Sequence, residues 1–175
     1  TGSSATITTI TNSGTISAGA HTGLRNYKGV IGTITNSGTG TISAVGHSGL
    51  RNDGDGEIGT ITNSGTGTIS AGTDKGLFNS GTITTLTNSG TISSTEEYGL
   101  SNDNGTIKKI TNSGTISAGA DNGLWTDGTI TELTNSGTIS AGGEIGIKNV
   151  NGGTINTLTN SGTISAGSNF GIKND

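Results

Sequence analysis

The chain has 175 residues, with 34 glycines, no proline, no cysteine and no methionine, and only 3% of its residues are aromatic. With 26% hydrophobic residues it is too poor in large side chains for an ordinary globular core, and without cysteine it has neither a disulfide framework nor a thiol nucleophile. The net charge of −4 and the lack of a basic stripe argue against a nucleic-acid partner. The sequence contains no run of about 18 apolar residues, so membrane insertion is not predicted.

A four-residue phrase, Thr-Asn-Ser-Gly, organises the chain. Its seven copies follow one another at steps of 24, 27, 25, 24, 23 and 25 residues, within a unit that reads approximately GTIxxLTNSGTISAGxxxGLxN. Two of the longer steps contain SGTGT, at 37–41 and 64–68, where the other units read SGT. Stacked units can build a thin, continuous core that one unit could not, so the repetition predicts an ordered solenoid.

Each unit contains three short segments of two-residue alternation separated by Gly, Asn and Ser, and it lacks the 3.6-residue period of helical repeats. Because parallel crossovers are right-handed by strong preference, we predict an all-β, right-handed parallel β-helix. It has seven coils of about 24–25 residues with three short strands each, about 34 Å long at about 4.8 Å per coil. The coils are expected to begin near residues 5, 30, 57, 81, 105, 128 and 153 of a single domain, 1–175.

Four aliphatic columns, which start at Ile7, Ile10, Ile16 and Leu24 and recur in every unit, are the predicted core. Stacked asparagines are predicted to form an amide ladder at one corner, followed by a glycine that would permit positive φ. The ladder consists of Asn12, Asn36, Asn63, Asn88, Asn112, Asn135 and Asn160. A second ladder, interrupted by Thr126, comprises Asn26, Asn52, Asn79, Asn102, Asn149 and Asn174.

Units of the form ITNSGTISAG resemble the passenger repeats of bacterial autotransporters and related large surface adhesins, over essentially the whole chain. The resemblance implies an extracellular right-handed β-helix displayed at a Gram-negative cell surface. Such passengers serve as adhesins, stalks or enzyme carriers, so the resemblance transfers no catalytic residue.

Two groups of side chains are compatible with a metal ion. His21 and His47 occupy equivalent loop positions in adjacent coils, but no third ligand recurs beside them, and exposed stacking is the preferred interpretation. Asp53, Asp55 and Glu57 alternate in a glycine-rich segment that would suit a hard cation. The motif occurs once and lacks the length of a calcium loop, so a solvated loop is preferred. No metal or other cofactor is therefore predicted.

Catalysis is not predicted, because the Ser and Thr hydroxyls recur in columns and carboxylate pairs such as Glu96-Glu97 should diverge. The outward position of the GLxN segment varies most and reads Arg25, Arg51, Phe78, Ser101, Trp125, Lys148 and Lys173. Aromatic and basic residues exposed together make this column a candidate contact face for a host or neighbouring-cell protein or glycan. The alternative interpretation is that this outward column has no binding role and simply tolerates any residue.

The leading functional hypothesis is a non-enzymatic extracellular structural or adhesive stalk or fibre. One alternative is ice binding by a face of repeated Thr-x-Ser, which runs from Thr15 and Ser17 to Thr163 and Ser165. A second is an end-to-end filament subunit, since neither end carries a polar cap and both would meet further coils of a longer chain or another subunit. A polysaccharide-processing β-helix enzyme is the third.

Overall fold

The structure, a computed structural model, describes residues 4–175 and consists of 21 strands joined by short turns and loops. The strands form three parallel sheets of seven, and each coil contributes one strand to each sheet, which confirms the predicted seven-coil β-solenoid. The first sheet contains β1 (Thr6–Asn12), β4 (Val30–Asn36), β7 (Glu57–Asn63), β10 (Thr82–Asn88), β13 (Thr106–Asn112), β16 (Thr129–Asn135) and β19 (Thr154–Asn160).

The other two sheets use shorter strands. The second sheet contains β2 (Thr15–Ala18), β5 (Thr41–Ala44), β8 (Thr68–Ala71), β11 (Thr91–Ser94), β14 (Thr115–Ala118), β17 (Thr138–Ala141) and β20 (Thr163–Ala166). The third contains β3 (Leu24–Tyr27), β6 (Leu50–Asp53), β9 (Leu77–Asn79), β12 (Leu100–Asn102), β15 (Asn122–Thr126), β18 (Ile145–Asn149) and β21 (Ile172–Asn174). The third sheet carries the variable outward column.

Equivalent positions of successive units pair directly, so like residues stack on like. In the first sheet, for example, Ile34 pairs with Ile61 and Asn36 with Asn63. The long strands hold two inward aliphatic residues three positions apart, such as Ile31 and Ile34, and the paired positions omit Gly32 between them. That omitted residue breaks the two-residue alternation, which lets both aliphatic side chains point inward.

The four aliphatic columns form one continuous core. Their members in the second to sixth coils are almost completely buried, each contributing about 1.5–3 kcal/mol of burial free energy. The columns are open at both ends, where Ile7 is 50% and Ile172 52% exposed. The aliphatic residues of each interior coil are therefore shielded from solvent by the coils on either side, as expected for a repeat structure.

Both predicted asparagine ladders are present. In the first, each Nδ2 donates to the Oδ1 of the next asparagine over 2.7–2.8 Å, from Asn12 to Asn160. The same amide also donates to backbone carbonyls of its own corner and of the next coil, as Asn36 does to Gly40 and Thr68. The ladder therefore satisfies buried backbone acceptors at the turn as well as itself.

The expected positive φ at the corner glycine is correct in only two coils. Gly38 and Gly65 have φ of +60° and +65°, and both lie in the SGTGT insertions. Gly14, Gly90 and Gly114 are not among the positive-φ residues of the described chain. A Cβ on Gly114 would lie 2.1 Å from the carbonyl oxygen of Gly90, so close approach of neighbouring coils explains that glycine.

Candidate functional site: the outward face of the third sheet

The outward residues of the third sheet stack in the order of the sequence. Successive strand pairings place Arg25 beside Arg51, Arg51 beside Phe78 and Ser101 beside Trp125. Lys148 follows Trp125, and Lys173 follows Lys148. The structure therefore brings the predicted contact residues into one column, although their exposure differs strongly along it.

At one end of the column, two guanidinium groups share one carboxylate. Arg25 Nε donates to Asp53 Oδ2 and Arg51 Nε donates to Asp53 Oδ1, each over 2.5 Å. Asp53 lies two positions after Arg51 on β6 and therefore on the same side of the strand. Its side chain is only 7% exposed, so the two arginines cover it and neutralise its buried charge.

Phe78 is buried, so the expectation that its ring is exposed is wrong. The Arg51 guanidinium lies 4.0 Å from the ring centroid and covers one side of it. Phe78 is 6% exposed and Ser101, the next residue of the column, is 1% exposed. The phenyl ring thus supports the arginine through a cation–π contact and offers little area to a partner.

An aromatic pair lies farther along the face. Tyr98 from the variable loop stacks on Trp125 of β15, with ring centroids 5.7 Å apart and planes inclined by 9°. Lys75 Nζ lies 5.5 Å from the Tyr98 centroid. Burial, together with the negative charges of Asp121 and Glu97, raises the pKa of Tyr98 above its ordinary value. The sequence predicts that Trp125 lies beside the loop holding Tyr98, and the structure adds that the two rings stack.

The variable loops that precede the third sheet add a column of charged residues. In the first six units, the residues three positions before the inward aliphatic residue are His21, His47, Asp74, Glu97, Asp121 and Glu144, and the seventh unit has Asn169 there. The imidazoles of His21 and His47 stack, with centroids 5.9 Å apart and planes inclined by 4°. The column is therefore imidazole in the first two coils and acidic in the next four.

Lys75 binds two of these acids. Its Nζ contacts Asp74 Oδ1 and lies 2.7 Å from Glu97 Oε2. Burial would raise the pKa of Asp74, but Lys75, the Ser48 hydroxyl and Arg51 outweigh burial and hold it below its ordinary value. Burial would lower the pKa of Lys75, but its hydrogen bonds to Asp74 and Glu97 hold it above its ordinary value. Glu97, one of the Glu96-Glu97 pair, is thus engaged in an ion pair.

The acidic motif considered for a cation does not form a site. Asp53 belongs to β6 and gives both carboxylate oxygens to arginines, whereas Asp55 is exposed in the following turn and Glu57 begins β7. Within residues 4–175, no three His, Cys, Asp or Glu side chains cluster as a metal site would require. The preferred interpretation of the motif as a solvated loop is also wrong for Asp53, which lies in a strand and is buried. Arg51 and Asp53 are two positions apart and therefore on the same face of β6, and this spacing could have predicted their ion pair from the sequence.

No protein-family model, curated protein or solved structure matches the chain. Residues 4–175 contain no helix long and apolar enough to cross a bilayer. The fold and the side chains described above are therefore the basis of the functional proposal.

Proposed function

We propose that the chain is a non-enzymatic extracellular repeat domain that acts as a rigid structural and adhesive rod at a bacterial cell surface. The observation that carries this proposal is the uninterrupted stacking of core and asparagine ladder through all seven coils. Every interior coil is held by inter-coil hydrogen bonds on three sheets, and such one-dimensional stacking resists bending better than a loop-rich structure. The resemblance to passenger repeats supports the surface location.

The adhesive part of the proposal is assigned to the outward face of the third sheet and its loops. This face carries the Tyr98–Trp125 pair and the basic residues Arg25, Arg51 and Lys148, whereas the outward face of the second sheet carries only Thr and Ser. Trp, Tyr and Arg side chains are enriched among the residues that dominate binding energy at protein interfaces, and the aromatic rings bury large areas at small entropic cost. The partner is a protein or glycan of a host or neighbouring cell.

Binding to glycan and protein arrays tests the proposal. Fluorescently labelled protein is compared with Trp125→Ala, which should lower binding to any true ligand at least tenfold. Thr138→Ala, on the outward face of the second sheet, is the matched control and should bind like the parent. Equal loss in both variants, or turnover of a polysaccharide by the purified domain, would contradict the proposal.

A second candidate, ice binding, is favoured by the regular register of the second sheet. Its outward Thr and Ser residues pair coil to coil without a gap, as Thr41 pairs with Thr68 and Ser43 with Ser70. The strand repeat of about 6.6 Å and the coil repeat of about 4.8 Å make a two-dimensional hydroxyl array. Thermal hysteresis at millimolar protein that is abolished by Thr91→Lys would support it. The absence of both hysteresis and ice shaping would exclude it.

A further inference from the structure

Arg25 and Arg51 line an open pocket of about 320 Å³ together with His21, His47 and Thr22. The pocket lies between the first two coils, and its second-coil rim borders on the first acidic loop residue, since Asp74 Oδ2 lies 3.8 Å from His47 Nδ1. Pockets of this size accommodate small polar groups, so its chemistry depends on which donors remain available.

The two guanidiniums are held in place and are only partly used. Each donates its Nε to Asp53, and within residues 4–175 neither forms a further hydrogen bond through its terminal nitrogens. Arg51 is also fixed against the Phe78 ring at 4.0 Å. A guanidinium whose Nε is anchored presents its remaining N–H groups in a fixed fork, which matches the geometry of carboxylate, sulfate and phosphate oxygens.

The charges of the pocket favour a single anionic group. Two guanidiniums and the Asp53 carboxylate leave a net charge of +1, and the neighbouring Asp74 carboxylate is paired with Lys75. The imidazoles stack 5.9 Å apart on the rim, where their ring N–H groups add further donors.

The acidic loop residues of the next coils would repel a ligand that carries several anionic groups along the axis. The loop column continues from His47 into Asp74, Glu97 and Asp121, and Lys75 neutralises only part of that charge. A second anionic group laid along the axis would therefore meet carboxylates at steps of about 5 Å. A neutral, hydroxyl-rich chain would not be repelled there.

We infer that the pocket formed by Arg25, Arg51, His21 and His47 is an oxyanion site for one terminal sulfate or carboxylate group, either free in solution or at the end of an otherwise neutral glycan. The inference rests on the proposed contact face and names the chemical class that this end of it binds. Asp53 acts as a positioning residue: its buried carboxylate aligns the two guanidinium forks without contacting the anion.

Titration of the isotopically labelled 175-residue chain with sodium sulfate at constant ionic strength, followed by NMR, tests the site. Saturable shifts are expected at the amides of His21, Thr22, Arg25, His47 and Arg51. Arg25→Gln should weaken binding at least tenfold, whereas Lys108→Gln, at an exposed position of β13 in the first sheet, should leave affinity within twofold. Absence of saturable shifts, or equal affinity in Arg25→Gln, would overturn the inference.

A neutral replacement of the whole triad keeps the test independent of folding. Arg25→Gln/Asp53→Asn/Arg51→Gln leaves no buried charge unpaired, so its circular dichroism should match the parent while sulfate binding is lost. If this triple variant is folded and still binds sulfate as the parent does, the site is wrong.

Three further ligands distinguish the sources of the anion. Lactose should not bind, and lactose carrying one sulfate ester should bind at least as tightly as inorganic sulfate; a gain of threefold or more assigns the anion to a glycan, and equality assigns it to a free ion. The affinity for heparin should exceed that for the monosulfated sugar by less than threefold. An affinity ten times higher would overturn the assignment of the site to a single anionic group. Array binding that needs Trp125, together with sulfate binding that is unaffected by Arg25→Gln, would leave the adhesive proposal standing and remove this inference.

Discussion

The side-chain amide of Asn102 donates to the hydroxyl of Thr126 over 3.2 Å, at the step where a threonine replaces an asparagine in the second ladder. Thr126 Oγ1 also accepts from the backbone N–H of Gly128 over 3.2 Å. In the next coil, Asn149 Oδ1 is buried and has no hydrogen-bond partner within residues 4–175. The threonine hydroxyl therefore accepts a hydrogen bond from Asn102 in the coil before it, but it supplies no donor to Asn149 Oδ1 in the coil after it.

Thr126→Asn should repair this ladder. An asparagine of similar volume would accept from Asn102 and donate to Asn149, so the free energy of unfolding should rise by about 1 kcal/mol. Urea unfolding followed by circular dichroism measures the change. The reciprocal control, Asn79→Thr, transfers the same break to an intact step and should lower stability by about 1–3 kcal/mol. A Thr126→Asn protein less stable than its parent would contradict the account.

The interior rungs of the first ladder should matter more than its exposed end. Asn88 donates to Gly90, Asn112 and Thr115 and accepts from Asn63, whereas the amide of Asn160 at the last rung donates only to Gly162 within residues 4–175.

Asn88→Ala should therefore lower the free energy of unfolding by about 3 kcal/mol, because buried acceptors lose their donor. Asn160→Ala, the same substitution at the same corner, should cost less than about 1 kcal/mol. Denaturant midpoints of the two variants provide the comparison, and similar costs would show that the ladder does not depend on burial.

The corner glycines offer a matched pair for close packing between coils. A Cβ at Gly114 would lie 2.1 Å from the Gly90 carbonyl oxygen, whereas a Cβ at Gly14 would meet nothing within 4 Å. Gly114→Ala should therefore destabilise the chain by about 2 kcal/mol or more, and Gly14→Ala should be neutral within about 0.5 kcal/mol. Thermal melts of both variants measure this, and equal melting temperatures would refute the packing argument.

Asp74 should make stability depend on pH in the acid range. Its pKa is held below the ordinary value of 3.8, so it contributes stability above that value, and this stability is lost as the pH falls through the lower folded-state pKa.

At neutral pH, Asp74→Asn should reduce the free energy of unfolding by about 1–2 kcal/mol through weakened contacts with Lys75 and Ser48. The difference between parent and variant should shrink below about pH 4. A difference that stays constant from pH 7 to pH 2 would show that the carboxylate charge is not what stabilises this loop.

The open ends of the core predict self-association of the isolated chain. Ile7 and Ile172 are each about half exposed, although the equivalent residues of interior coils are buried. Multi-angle light scattering should show a mass that rises with concentration, and Ile172→Lys should suppress the rise because a charge would have to be buried in the joint. Ser165→Lys, in the same coil but on the outward face of the second sheet, is the control. A monomer at every concentration would disprove the prediction.

The periodic part of the structure could be predicted from the sequence because each column repeats its chemistry. Ile34 and Ile61 are inward for the same reason, and Asn36 and Asn63 form a ladder because their register is identical. The non-periodic part could not. Phe78 occupies an outward position and is buried, with Arg51 of the preceding coil lying over one side of its ring. The glycines after Asp53 predict a loop, yet Asp53 pairs with Tyr27 at the end of β6 and both of its carboxylate oxygens accept from arginines.

The two SGTGT insertions lie in adjacent coils, and their contacts link them. Within each, a turn closes with a hydrogen bond from Gly40 to Ser37 or from Gly67 to Ser64. Across the coils, both the backbone N–H and the hydroxyl of Thr66 donate to the carbonyl oxygen of Gly38, over 3.0 and 2.9 Å. The turn of the third coil is therefore hydrogen-bonded directly to the turn of the second.

It follows that the two long turns stabilise each other as a pair. A long turn flanked on both sides by coils that lack one would not make these hydrogen bonds, so a single insertion should be less well ordered than two in adjacent coils. A designer who lengthens the rod should therefore copy coils whole and place long ones side by side.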